Sequence, residues 1–145
     1  MIRSLKFALA ALVVSAAPAL AQAKPVVIEN AWIRLHEGMV SAYFHILNNS
    51  EEPDRLLAVS TPRAEKAELL RTRIRSGKYV YQPVTDLEIT GYDDERLRPG
   101  GLFVRLSGVK DRLAVGDIVP LTLRFERSGT IEVTARVSNQ LLGNR

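Results

Sequence analysis

The chain has 145 residues, 46% of them hydrophobic and 25% charged, which is the composition of a folded domain and not of a disordered or membrane-embedded chain. It contains no Cys, which excludes disulfides, thiolate zinc sites, iron–sulfur clusters and cysteine nucleophiles. The only imidazoles are His36 and His45, and the only internal thioether is Met39, so metal donors and general acid–base groups are scarce.

The first two dozen residues have the make-up of a cleavable signal peptide. Arg3 and Lys6 precede an uncharged apolar run from Phe7 to Leu20, and Ala19-Leu20-Ala21 offers a small-x-small cleavage site, with Ala21-Gln22-Ala23 as a second. The run is short for a bilayer span and Pro18 interrupts it. The expectation is a signal peptide over 1–21, a single domain over 22–145, export to the periplasm, and no membrane insertion after cleavage. Cleavage removes two of the 20 cations, so the formal charge falls from +4 to +2. That balance, with an exported location, excludes nucleic acid as a partner.

From Pro25 onward, period-2 alternation and turn residues dominate. Val26 to Ile28 and Ala31 to Leu35 read as strand, and Val40 to Leu47 as a second strand stopped by Asn48-Asn49-Ser50 and Pro53-Asp54. Arg55 to Thr61 follows, then Glu65 to Arg75, where Leu70, Thr72 and Ile74 alternate with Arg71, Arg73 and Arg75. Ser76-Gly77-Lys78 is a tight connection into Tyr79-Val80-Tyr81. Asp93-Asp94-Glu95 reads as a solvated turn. Pro99-Gly100-Gly101 leads into Leu102 to Ser107, and Asp117 to Arg127 with Thr130 to Val137 reads as a hairpin around Ser128-Gly129. About eight short strands and no amphipathic helix predict an all-β, antiparallel β-sandwich. No phosphate loop, nucleophile elbow or metalloprotease helix is present, so no enzymatic activity is expected.

Several stretches carry a family resemblance: Asn30-Ala31-Trp32-Ile33-Arg34, Ser41-Ala42-Tyr43-Phe44, Asp54-Arg55-Leu56-Leu57, Leu97-Arg98-Pro99-Gly100-Gly101-Leu102 and Gly116-Asp117-Ile118-Val119-Pro120-Leu121. In this order and spacing the chain resembles the periplasmic copper chaperones of the PCu(A)C family, from about Ile28 to Val137. The resemblance implies a cupredoxin-like sandwich of Greek-key type, copper carriage toward respiratory oxidase assembly, and a periplasmic or membrane-bound oxidase-assembly protein as partner. It also implies a copper site on the pattern H-x10-M-x21-H-x-M. Laid on this chain without a gap, that pattern falls on Leu70, Tyr81, Phe103 and Arg105. None is an imidazole or thioether, so no copper is expected at the family position. Arg105 in particular is a fixed cation, expected to repel a metal.

Two constellations remain. His36, Met39 and His45 form a candidate relocated Cu(I) site, since imidazole and thioether are soft donors suited to that ion. Arg71, Arg73, Arg75 and Lys78, with Arg105, form a candidate face for an anion or an acidic partner, because guanidinium forks match carboxylates. The first makes the chain a copper carrier. The second makes it a metal-free periplasmic binding module for an acidic protein or an anionic small molecule.

Overall fold

The structure is a computed structural model and describes residues 24–139; the signal-peptide expectation for 1–21 lies outside the described residues. Ten strands follow one another: β1 (Val26–His36), β2 (Met39–Asn48), β3 (Asp54–Ser60), β4 (Ala64–Arg75), β5 (Lys78–Pro83), β6 (Leu87–Ile89), β7 (Asp94–Arg96), β8 (Leu102–Val109), β9 (Ile118–Phe125) and β10 (Gly129–Val137). Hydrogen bonding links them in the order β5-β4-β8-β2-β1-β10-β9-β3-β6, with β7 added to β2. The β5-to-β1 and β10-to-β6 halves enclose one apolar core, into which alternate residues such as Ile33, Phe44, Val104, Leu121 and Leu123 project. All pairings are antiparallel except β1 with β10, which run parallel at Trp32–Arg136 and Ile33–Val137. The expected all-β antiparallel sandwich is therefore the fold.

The expected strands are present, and two more join them. β6 and β7 have three residues each, too short to show a period, and both are held by longer neighbours: β6 on β3 and β7 on β2. The acidic run 93–95 is thus not simply a solvated turn, because Asp94 and Glu95 pair with Leu47 and Ile46.

Two local features place the outward face of the first half. The β1–β2 and β4–β5 turns each have two residues, Glu37-Gly38 and Ser76-Gly77, all at positive φ between 50° and 77°. That is the hairpin turn whose twist matches the flanking strands. It makes His36 and Met39 directly opposed partners. A bulge in β1 then shifts the register between Glu29 and Trp32, with Asn30 in the left-handed region at φ 51°. Glu29 opposes His45 and Trp32 opposes Tyr43, so β1 changes phase across the bulge. Beyond it Trp32, Arg34 and His36 lie on the same outward face as Tyr43, Ser41 and Met39.

Candidate functional site

That outward face carries most of the positions singled out in the sequence. Leu70 and Phe103 are cross-strand partners on β4 and β8, 1% and 3% exposed. Tyr81 on β5 stands edge-on to Phe103, with ring centroids 5.2 Å apart at 79°. Tyr43 tilts against Phe103 from the other side at 6.5 Å and stacks on Trp32 at 4.6 Å. The positions that the resemblance assigns to two imidazoles and one thioether therefore meet in space, and an aliphatic and aromatic cluster fills them. The sandwich brings 70, 81 and 103 together because they lie on three neighbouring strands and share a face.

Arg105 takes a different direction. It lies two residues along β8 from Phe103, opposite Glu68, and its Nη2 donates to Glu68 Oε2 at 2.9 Å. Lys66 Nζ lies 2.9 Å from the other oxygen of the same carboxylate. Hydrogen bonds from Lys66 and Arg105 hold the Glu68 carboxyl below the usual carboxylate range. The guanidinium expected to repel a metal is thus paired with Glu68, and Lys66 shares its counterion.

A cavity of about 480 Å³ opens beside the aromatic cluster, lined by His36, Met39, Arg34, Tyr43, Tyr79, Tyr81 and Phe103 among others. His36 and Met39 reach it from opposite sides of the β1–β2 turn. Directly paired residues of this kind hold their Cβ atoms about 5 Å apart. His36 is exposed, with Nε2 3.7 Å from the Glu37 carboxylate, and Met39 is half-buried. Burial pushes the Tyr43 phenol up from its ordinary value against the lowering effects of Ser41 and Arg34, so this wall stays uncharged.

His45 does not join them. Six residues along β2 from Met39, about 20 Å in an extended strand, its Nε2 lies 2.5 Å from Asp94 Oδ2 and its Nδ1 3.9 Å from Glu29 Oε2. The three-donor set is thus reduced to His36 and Met39, while His45 fastens β7 and the β1 bulge to β2. Among the described residues, no three His, Asp or Glu side chains gather in a way that would hold a metal ion.

The basic residues also divide. Arg71, Arg73 and Arg75 oppose Gln82, Val80 and Lys78 across the β4–β5 hairpin and share one of its faces with Lys78. Glu68 and Arg105 lie on the other face of β4 and β8, an odd number of residues away. The five cations therefore form a patch of four and one neutralised arginine. Sequence reasoning passed over Arg34 and Tyr43 as cavity residues; the Glu37-Gly38 turn signal would have set Arg34 opposite Ser41 and Trp32 opposite Tyr43.

The fold is that of a PCuAC-type domain. The chain superimposes with a TM-score of 0.67 on the solution structure of CuI-DR1885 from Deinococcus radiodurans, 30% identical and covering 83% of both chains. The apo PCuAC domain from PmoF1 gives a TM-score of 0.67 at 26% identity, over 80% of this chain and 95% of that one. The copper-bound PCuAC domain from PmoF2 gives 0.66 at 23% identity over 80% and 94%, a likeness of fold alone. Residues 26–137 match the family described as "Putative lipoprotein LpqE-like", and the chain belongs to that LpqE-like family. A curated relative, "Putative lipoprotein Lxx21020" of Leifsonia xyli subsp. xyli (strain CTCB07), is 26% identical over 120 residues, 81% of this chain and 72% of the relative. The 145 residues contain no Cys, the side chain that carries a lipid thioether.

Proposed function

We propose that this protein is an exported, copper-chaperone-like carrier in which the opposed pair His36 and Met39 binds Cu(I) as cargo. A periplasmic location after cleavage of residues 1–21, with residues 22–145 as the working domain, is part of the same reading. The observation that carries it is the position of the pair. His36 and Met39 are the two soft donors that line the same cavity as Tyr81 and Phe103, two of the ligand positions implied by the resemblance.

The chemistry fits a carrier better than a resident redox centre. Imidazole with thioether favours Cu(I) over harder divalent ions. Two donors at an exposed turn leave the ion open on its outer side, where an acceptor with stronger thiolate ligands can attach before the chaperone lets go. Phe103 and Tyr81 provide an apolar wall and no competing ligand. A periplasmic or membrane-bound oxidase-assembly protein is the acceptor this reading requires. The likeness to CuI-DR1885 supports a role in copper handling.

Anaerobic Cu(I) titration of the 22–145 protein against a chromophoric competitor tests the proposal. One equivalent is expected to bind, weakened at least about tenfold by His36→Ala and by Met39→Ala and left unchanged by His45→Ala. Failure of the wild-type protein to withdraw Cu(I) from the competitor would sink it.

A further inference from the structure

The β4–β5 hairpin carries a pattern that copper carriage does not use. Among the described residues, β5 is the last strand of its half and pairs only with β4, so its outer backbone edge has no strand partner there. Between Lys78 and Gln82 that edge has no proline and no register shift, two of the usual protections of an exposed edge. One face of the hairpin presents Arg71, Arg73, Arg75 and Lys78, and among the described residues none of the four makes an ion pair or a side-chain hydrogen bond, whereas Arg55 and Arg105 each have carboxylate partners. The opposite face presents Ile74 and Tyr79, which are 69% and 70% exposed. The hairpin is thus cationic on one side, apolar on the other, and open along its edge.

We propose that the β5 edge is a docking site for an acidic, extended segment of a partner protein, which adds to the sheet as a further strand. An added strand places alternate side chains on the two faces, so Asp or Glu at every second position would meet the cationic face while apolar residues between them meet Tyr79 and Ile74. Arg73 stands one strand back from the edge, so an added strand lies about 10 Å from it, with the small Val80 between, a gap closed by its long stem together with a Glu reaching back from the added strand. A second copy of this chain fits poorly, because edge-to-edge pairing would set like charges against each other. A flat anionic membrane would meet only one of the two faces. The docking site is independent of copper, so it stands or falls apart from the His36–Met39 reading.

The test uses the 22–145 protein and a labelled peptide of alternating Glu and Val, with a Lys-and-Val peptide as control. The acidic peptide is expected to bind, to slow hydrogen exchange of the β5 amides, and to weaken at least about tenfold as salt is raised from low to near-molar concentration. Arg73→Glu with Arg75→Glu should abolish binding, while Arg73→Lys with Arg75→Lys retains it and shows that the hairpin still folds. Equal binding of the basic peptide, an unchanged affinity on charge reversal, or unprotected β5 amides would each overturn the proposal. Binding to phosphatidylglycerol vesicles without binding to the acidic peptide would overturn it in favour of a lipid surface, and self-association through β5 in favour of a dimer. If the charge-reversed variant does not fold, the control peptide and the salt series on the wild-type protein decide.

Discussion

Two polar regions of this sandwich treat their groups in opposite ways. Where β2, β3, β6 and the β9–β10 turn meet, Asn48 and Asp54 are buried and matched. The Asn48 amide donates to the Glu52, Ile89 and Thr90 carbonyls at 2.8, 3.1 and 3.3 Å, and its oxygen accepts from the amide and hydroxyl of Ser50. The Asp54 carboxylate, 2% exposed, accepts from the amides of Arg55, Arg127 and Ser128 at 2.8 to 2.9 Å. Around the β1–β2 turn and on the opposite face of the β4–β5 hairpin, the imidazole, the thioether and four cations have few partners or none among the described residues. Saturated polar groups hold a fold together, because losing one partner strands another in the interior. Unsaturated ones at the surface cost little to leave open and remain available to a ligand. The contrast assigns stability to the first region and recognition to the second.

The largest break is expected at Asp54. Asp54→Ala leaves three part-buried amides without an acceptor and should cost about 2–4 kcal/mol in urea denaturation. Burial pushes the Asp54 carboxyl up, but donors at Ser128, Arg127 and Arg55 outweigh it and hold the group below the ordinary carboxylate range. The folded value therefore lies below the unfolded one. Its contribution is complete above the unfolded value near about 4 and is lost as pH falls through the folded value. Asp54→Asn should flatten the acid limb of stability plotted against pH; an acid limb identical to wild type would show that Asp54 does not govern it. Asn48→Ala, which removes the link between β2 and the strand bearing Ile89, should cost about 2–4 kcal/mol by the same measurement.

The recognition face should invert that pattern. His36→Ala is expected to change stability by less than about 0.5 kcal/mol, because an exposed turn side chain has little to lose. Met39→Ala should cost about 1–2 kcal/mol, since only part of its stem is buried. Both should nonetheless remove most Cu(I) affinity in the competitor titration. A His36→Ala protein that is strongly destabilised, or that still holds Cu(I), would erase the distinction between the two regions.

How far the sequence reveals this division depends on the distance over which each feature is encoded. The alternation from Leu70 to Arg75 and the Ser128-Gly129 turn are local, and they stand in the structure as β4 and as the β9–β10 hairpin. β6 and β7 carry no local period; Asp94-Glu95-Arg96 is a strand because β2 offers it an edge. The ligand-pattern positions show the same limit. Their spacing is readable, and three of the four do converge, but that Arg105 would be spent on Glu68 depends on the β4–β8 register over 37 residues. The separation of His45 from Met39 follows from strand length alone: parity puts both on one face of β2, and six residues of extended chain hold them about 20 Å apart. The role of Asp54 is the least legible, since its partners Arg127 and Ser128 lie more than 70 residues away.

The smallest expected effect on stability belongs to the Glu68 ion-pair group on the recognition side. Glu68 lies between Lys66 and Arg105, and its side chain is 23% exposed. Such pairs at a wet surface contribute little, so Glu68→Gln should leave stability close to that of the wild type. The charge consequence is larger than the energetic one. Removing the carboxylate leaves Arg105 and Lys66 as two uncompensated cations, and Arg105 lines a second cavity of about 460 Å³ that also touches Met39. If the neutralised arginine is what allows a cation to be held at the neighbouring pair, Cu(I) affinity should fall in Glu68→Gln and recover when Arg105→Gln is added. A double variant that binds no better than the single one would show that Glu68 acts only on the sheet, and the pairing of Arg105 would then belong with the stabilising contacts of the first region.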